Sequence, residues 1–234
     1  MHKINDMFAT SMYATERMIV ESVATVLCLI LVRFMIKPYK LTRDGTLLGL
    51  PLGFAFLGIS YALAAISYSP LGFPKELLWL PLLTRSFAFV FLATTYFFSN
   101  KKSKNGQLLG ELTISLLAIA LAISLLIAFV APEFAFSGYS NANVYLRFVN
   151  LICLSYIAIH TLRGHVRNPD PTTIWIPFGF IFLAISQYSL LFWYIDTSFS
   201  AFIGSLVTRF AGLAIFLYVS IRTFYGSNEK KGLK

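Results

Sequence analysis

The segment Pro51-Leu52-Gly53-Phe54-Ala55-Phe56-Leu57-Gly58-Ile59-Ser60 returns as Pro177-Phe178-Gly179-Phe180-Ile181-Phe182-Leu183-Ala184-Ile185-Ser186. A segment present twice needs the same surroundings twice, so this return constrains the fold more than any single residue does. The correspondence extends both ways along the chain. Leu27-Cys28-Leu29 aligns with Ile152-Cys153-Leu154, Tyr68 with Tyr194, and Thr84-Arg85 with Thr208-Arg209, at offsets of 124 to 126. Apolar composition alone does not hold Pro, Gly, Cys and Arg at a near-constant offset.

The surroundings are a membrane. Hydrophobic residues make up 57% of the chain and charged residues 12%, against roughly 45–50% and about 25% in soluble domains. A helix rising about 1.5 Å per residue needs about 20 apolar residues to cross roughly 30 Å of hydrocarbon. Seven such runs are predicted, at about 18–36, 48–68, 77–98, 108–130, 144–162, 173–194 and 202–222. The connections are too short for a soluble domain, so residues 1–234 are expected to form a single polytopic all-α membrane domain. Repeat one covers about 18–98, a linker helix about 108–130, and repeat two about 144–222. Three spans per copy would invert the second copy; the fourth helix restores its direction and predicts parallel repeats about an axis along the membrane normal.

The order of spans resembles that of the SWEET sugar transporters, which also join two parallel three-helix copies by one helix. The resemblance covers span order only. Pro51 and Pro177 stand at the entry of the second and sixth spans, and the first and fifth cores lack an internal proline. It therefore implies no site residue here. Seven spans also look like a microbial rhodopsin or a receptor, but a retinal Schiff base needs a lysine in the last helix, and 202–222 has none.

Basic residues set the predicted orientation. Arg33, Lys37, Lys40 and Arg43 follow the first span, Lys101, Lys102 and Lys104 the third, Arg163 and Arg167 the fifth, and Arg222, Lys230, Lys231 and Lys234 the seventh. The opposite loops carry Lys75 with Glu76, Glu133 and Asp196. The N-terminus is thus expected outside and the C-terminus in the cytoplasm, in the plasma membrane. Residues 1–15 lack the pattern of a cleaved leader, so the first span is expected to act as its own insertion signal. The net charge of +9 is read as topogenic charge and attraction to anionic lipid; no nucleic-acid-binding pattern accompanies it.

Polar groups within spans are expensive and mark candidate sites. Arg85 and Arg209 lead, since two guanidiniums at equivalent positions could clamp an anion between the copies. Their possible acidic partners are few: Glu21, whose i,i+4 neighbour Arg17 could satisfy it and which Arg147 could meet across the copies, Glu16 at the interface, and Asp196, close in sequence to the outer end of the helix that carries Arg209. Ser60 and Ser186 could bond a polar solute, but a mid-span serine more often bonds its own i−4 carbonyl or lets helices approach closely. Gln187 replaces Tyr61 of the other copy, and an amide at that depth needs several partners. Tyr68, Tyr194, Trp79 and Trp193 suit an aromatic belt. His2, His160 and His165 form no ligand cluster, Cys28 and Cys153 are isolated thiols, and no catalytic motif is present. Neither cofactor nor metal is expected, and the chain is not expected to be an enzyme.

A small-solute carrier or facilitator with a cavity between the repeats accounts best for these features. An accessory or structural subunit of a larger membrane complex, or a seven-helix sensor or receptor subunit, are the alternatives. The bilayer, a small solute, and membrane protein partners or further copies of the chain are the expected partners. The orientation is tested by labelling Lys102→Cys and Glu133→Cys, each in a background with Cys28 and Cys153 replaced by Ala, using a membrane-impermeant maleimide. The first should react only from the cytoplasmic face and the second only from outside.

Overall fold

The computed structural model describes residues 14–42, 48–69, 77–99, 104–130, 139–167, 169–170, 174–196 and 198–229. Among them are seven helices and no strand: α1 Ala14–Thr42, α2 Gly49–Ser67, α3 Leu80–Ser99, α4 Lys104–Val130, α5 Tyr139–Arg167, α6 Trp175–Asp196 and α7 Phe199–Glu229. Each is long and apolar enough to cross a membrane. Most run past the predicted apolar cores, because a helix that satisfies its own backbone need not stop where the hydrocarbon ends. Pro51, Pro81 and Pro177 all fall in first turns, where a missing N–H removes no helical hydrogen bond. Arg43, Lys75, Glu76, Lys101, Lys102, Glu133 and the tail lysines lie outside the described residues, as do the side chains of Lys104, Tyr194 and Asp196.

Helix α2 packs on α1 and α3, and α6 packs on α5 and α7. The two groups of three meet along α1 against α7 and α3 against α5. Helix α4 lies against α3, where Phe91, Ile114 and Leu121 form a small cluster of their own. Its other faces expose Leu108, Leu112, Leu116, Ile119 and Ile123.

Burial of apolar surface does not drive helices together in lipid; close packing does. Small residues provide it here. A Cβ on Gly53 would lie 2.6 Å from the Leu92 side chain and 3.2 Å from the Ala88 carbonyl oxygen, and one on Gly49 would overlap the Thr95 hydroxyl. These two glycines, four apart, let α2 lie directly on α3. Gly58 turns toward α1, where its Cβ would meet that of Cys28 at 3.1 Å. On α6 a Cβ at Gly179 would meet the Phe216 ring at 2.7 Å, and one at Gly212 of α7 would meet the Gly179 carbonyl oxygen at 2.9 Å.

Rings contributed by both groups of helices fill the centre. Phe216 of α7 meets Phe54 of α2 edge-on at 5.5 Å and Phe180 of α6 at 4.7 Å, and Tyr96 of α3 meets Phe180 at 5.6 Å. Edge-to-face pairs of this kind add about 0.5–1.5 kcal/mol beyond area burial. The cluster occupies the half of the bundle toward the start of α2 and the end of α3, the same end to which Arg33 and Lys37 of α1 and Arg163 and Arg167 of α5 belong.

The glycine seams yield a stability prediction. Gly212→Ala forces a methyl group against backbone and should cost about 1–3 kcal/mol, seen as a lower melting temperature in detergent. Gly164→Ala, with nothing within 4 Å of the added carbon, should be neutral or stabilising by up to about 1 kcal/mol.

Candidate functional site

Three of the charged residues named from sequence, Glu21, Arg85 and Arg209, converge at one place, in the half of the bundle away from the aromatic cluster. Arg85 lies five residues into α3, Ser60 seven residues before the end of α2, so each is about 8–10 Å along its helix from that end. Thr84 and Thr208, which precede the two arginines, each turn a hydroxyl back to a carbonyl on their own helix, that of Leu80 at 2.9 Å and that of Gly204 at 2.7 Å. Both arginines then point into the protein, where Arg85 is 5% and Arg209 1% exposed.

Glu21 of α1 holds them together. Arg209 donates from Nη1 to Glu21 Oε1 at 2.5 Å, and Arg85 Nη2 lies 3.8 Å from Glu21 Oε2. The first is a charge-assisted hydrogen bond. The second is an ion pair too long to be a hydrogen bond, so Glu21 Oε2 accepts none. The buried Tyr61 ring supports both cations, with the Arg85 Cζ 4.7 Å and the Arg209 Cζ 5.1 Å from its centroid. Such contacts strengthen when water is excluded. The Tyr61 hydroxyl and Arg209 Nε are buried without a hydrogen-bond partner.

The two serines bond to neighbouring helices, not to the carbonyl four residues back. Ser60 accepts from Arg85 Nε at 3.1 Å and donates to the Pro81 carbonyl at 2.7 Å, and Ser186 donates to the Ser205 carbonyl at 2.8 Å. Ser60 thereby fixes the rotamer of Arg85, whereas the Ser186 hydroxyl is spent on the backbone of α7. Gln187 is buried beside Ser186, and its carbonyl oxygen has no hydrogen-bond partner.

Arg17 has a different place from the one its spacing suggests. Its guanidinium lies 4.7 Å from the Tyr68 ring, 4.3 Å from Trp193 and 5.0 Å from Phe202, and donates to the Tyr68 hydroxyl at 3.0 Å. Two aromatic residues assigned to a lipid-facing belt therefore form a cage that joins α1, the end of α2, α6 and α7 one turn beyond Glu21. Arg147 is on α5, where its Nε donates to Asn143 Oδ1 at 2.6 Å.

Tyr61 and Phe202 escaped sequence reasoning. An aromatic residue in a membrane span carries no local sign that distinguishes a ring against lipid from one beneath a guanidinium. No group of three or more His, Cys, Asp or Glu that could hold a metal occurs among the described residues. Comparisons with protein-family models, with curated proteins and with solved structures found no match to this chain.

Charge counting gives the site's central property. Two guanidiniums and one carboxylate leave one positive charge in excess in a region from which solvent is excluded. Removing either arginine leaves a neutral pair, while removing the carboxylate leaves two cations without a counter-charge. An uncompensated buried charge costs about 3–5 kcal/mol. Glu21→Gln should therefore lower the melting temperature in detergent much more than Arg85→Gln does. The double variant Glu21→Gln/Arg209→Gln should recover part of the loss.

Proposed function

We propose that this integral membrane protein is a carrier or facilitator for a small anion, which binds at Arg85 and Arg209 between two parallel three-helix repeats. The excess positive charge at Glu21, Arg85 and Arg209 carries the proposal, since an arriving anion would neutralise it. The Tyr61 hydroxyl and Arg209 Nε would donate to that anion, with Glu21 yielding part of its hold on the arginines.

Equivalent contacts in the two groups of helices support the repeats. The bond from Ser60 to Pro81 corresponds, at the sequence offset, to that from Ser186 to Ser205; Thr84 to Leu80 corresponds to Thr208 to Gly204. Gly53 beneath Leu92 corresponds to Gly179 beneath Phe216. Exchanging the groups also exchanges the contact of α3 with α5 for that of α7 with α1. This is the pairing expected of a two-fold axis along the membrane normal.

The anion site is closed on both sides in this conformation. Arg17 in its aromatic cage covers the end toward the N-terminus of α1, and Phe54, Phe180, Phe216 and Tyr96 fill the other. Transport would open these layers in turn. With the basic ends in the cytoplasm, the Arg17 cage is the outer closure and the rings are the inner one, in a plasma-membrane protein whose C-terminus is cytoplasmic. No enzymatic step, cofactor or nucleic acid enters the proposal. One observation favours a second reading, in which the cluster is a permanent clamp in an accessory subunit: Glu21 already engages both arginines.

Thermal-shift titration of purified protein with chloride, nitrate, acetate, phosphate and sulfate at constant ionic strength separates the two. An anion ligand should raise the melting temperature, and Arg85→Gln should weaken it about ten- to a hundred-fold, equivalent to about 1.5–3 kcal/mol for one charged contact, while the protein still folds. The same anion should enter proteoliposomes containing the protein. If no anion shifts the transition and none is taken up, the clamp reading stands instead.

A further inference from the structure

Two amides of the second group of helices stand at the level of the arginines, and the central rings fix that level. Phe54 and Phe180 both meet the Phe216 ring, at 5.5 Å and 4.7 Å. Seven residues make about two turns and return a helix to the same face. Counting seven from each ring toward the ionic end leads from Phe54 to Tyr61, from Phe216 to Arg209 and from Phe180 to Gln187. The first two of these are again in contact, with the Arg209 Cζ 5.1 Å from the Tyr61 centroid. Gln187 thus faces the arginine layer from α6 as Tyr61 does from α2.

Asn150 of α5 joins it. The rings of Tyr96 on α3 and His160 on α5 are 6.1 Å apart, and the two helices run the same way. Arg85 is eleven residues before the first and Asn150 ten before the second, so they stand within about 2 Å of one level. Leu151 and Tyr188 border one apolar groove on the lipid side of α5 and α6. One residue back, a rotation of about 100° turns Asn150 and Gln187 inward, where they are 0% and 1% exposed. Neither polar atom of the Asn150 amide, nor the Gln187 carbonyl oxygen, has a hydrogen-bond partner among the described residues. The fold does not require amides here. At the offset of 126 that relates Pro51 to Pro177, the first group of helices has Ala24 and Tyr61 in their place, and both are buried as well.

Charge and hydrogen bonding together define a class of ligand. Glu21, Arg85 and Arg209 leave one positive charge, which a monoanion neutralises. Asn150 Oδ1, Gln187 Oε1 and Glu21 Oε2 are buried acceptors to which no hydrogen bond is donated. A halide, nitrate or plain carboxylate brings only further acceptors and would leave all three desolvated and unmet. We infer that the anion proposed at Arg85 and Arg209, on which this assignment rests, is a small monoanion that joins a carboxylate to a hydroxyl. The arginines hold the carboxylate. The hydroxyl donates to an amide oxygen of Asn150 or Gln187 and accepts from Asn150 Nδ2, so these two residues choose among anions that the arginines alone would treat alike.

Thermal-shift titration of the purified full chain with three matched pairs tests this: glycolate against acetate, lactate against propionate, and bicarbonate against formate. Within each pair the two anions differ by one hydroxyl. In at least one pair the hydroxyl-bearing member should bind about ten-fold more tightly, the worth of one net hydrogen bond, and the pair that shows it tells a hydroxy acid from bicarbonate. Asn150→Ala/Gln187→Leu should bring the members of that pair within about two-fold of each other. Equal binding within all three pairs by the natural protein would overturn the assignment and leave the anion site standing, and this comparison holds even if the double variant does not fold. A hydroxyl preference that survives the double substitution would overturn it too. No response to any of the six, or to inorganic anions, would remove the anion site and the assignment together.

Discussion

One carboxylate organises the centre of this protein. Glu21 bonds to Arg209 at 2.5 Å and lies 3.8 Å from Arg85, so α1, α3 and α7 are tied at a point where none of the three charges could remain alone. The energetic meaning lies less in the attraction than in the penalty avoided, since desolvating each ion costs several kcal/mol before any pairing is counted. The remaining contacts follow from it. Tyr61 is held beneath both guanidiniums, Ser60 sets the rotamer of Arg85, and the Arg17 cage closes over the same helices one turn away.

The bundle is thus divided along its length into two kinds of interior. Toward the ends of α1 and α5 it is apolar, with interlocked rings and glycine seams in which the backbones of α2 and α3, and of α6 and α7, come close. Toward the opposite end it is ionic, with paired charges and buried polar atoms that lack partners. Packing of the first kind is specific in shape and tolerates little added volume. Packing of the second kind is specific in charge.

Much of this arrangement was legible in the sequence because a membrane makes length and polarity speak plainly. Seven apolar runs became seven helices, and Arg85, Arg209 and Glu21 stood out as charges where charges are costly. Their partnership was not legible. Helical periodicity fixes which residues share a face of one helix, but here the lipid-facing and inward-facing residues are both apolar, so no stripe says which face meets which neighbour. Arg17 and Glu21 share a face at a spacing that suits an ion pair, yet Arg17 goes to Tyr68, Trp193 and Phe202 while Glu21 goes to helices remote in the chain. Helix ends were misplaced by up to several residues at polar flanks, as in α5 and α7, where hydropathy falls before the hydrogen bonding does.

The bond between Glu21 and Arg209 spans 188 positions of the chain, and synthesis proceeds from one end. When the first three helices enter the bilayer, Glu21 and Arg85 are already present and the final helix is not. The cations then within reach of the carboxylate are Arg17, on its own helix, and Arg85, and pairing lowers the cost of holding a charge in lipid while the remaining four helices are made. In the finished cluster the shorter contact is the one to the last helix, so the ion cluster is complete only once α7 has docked.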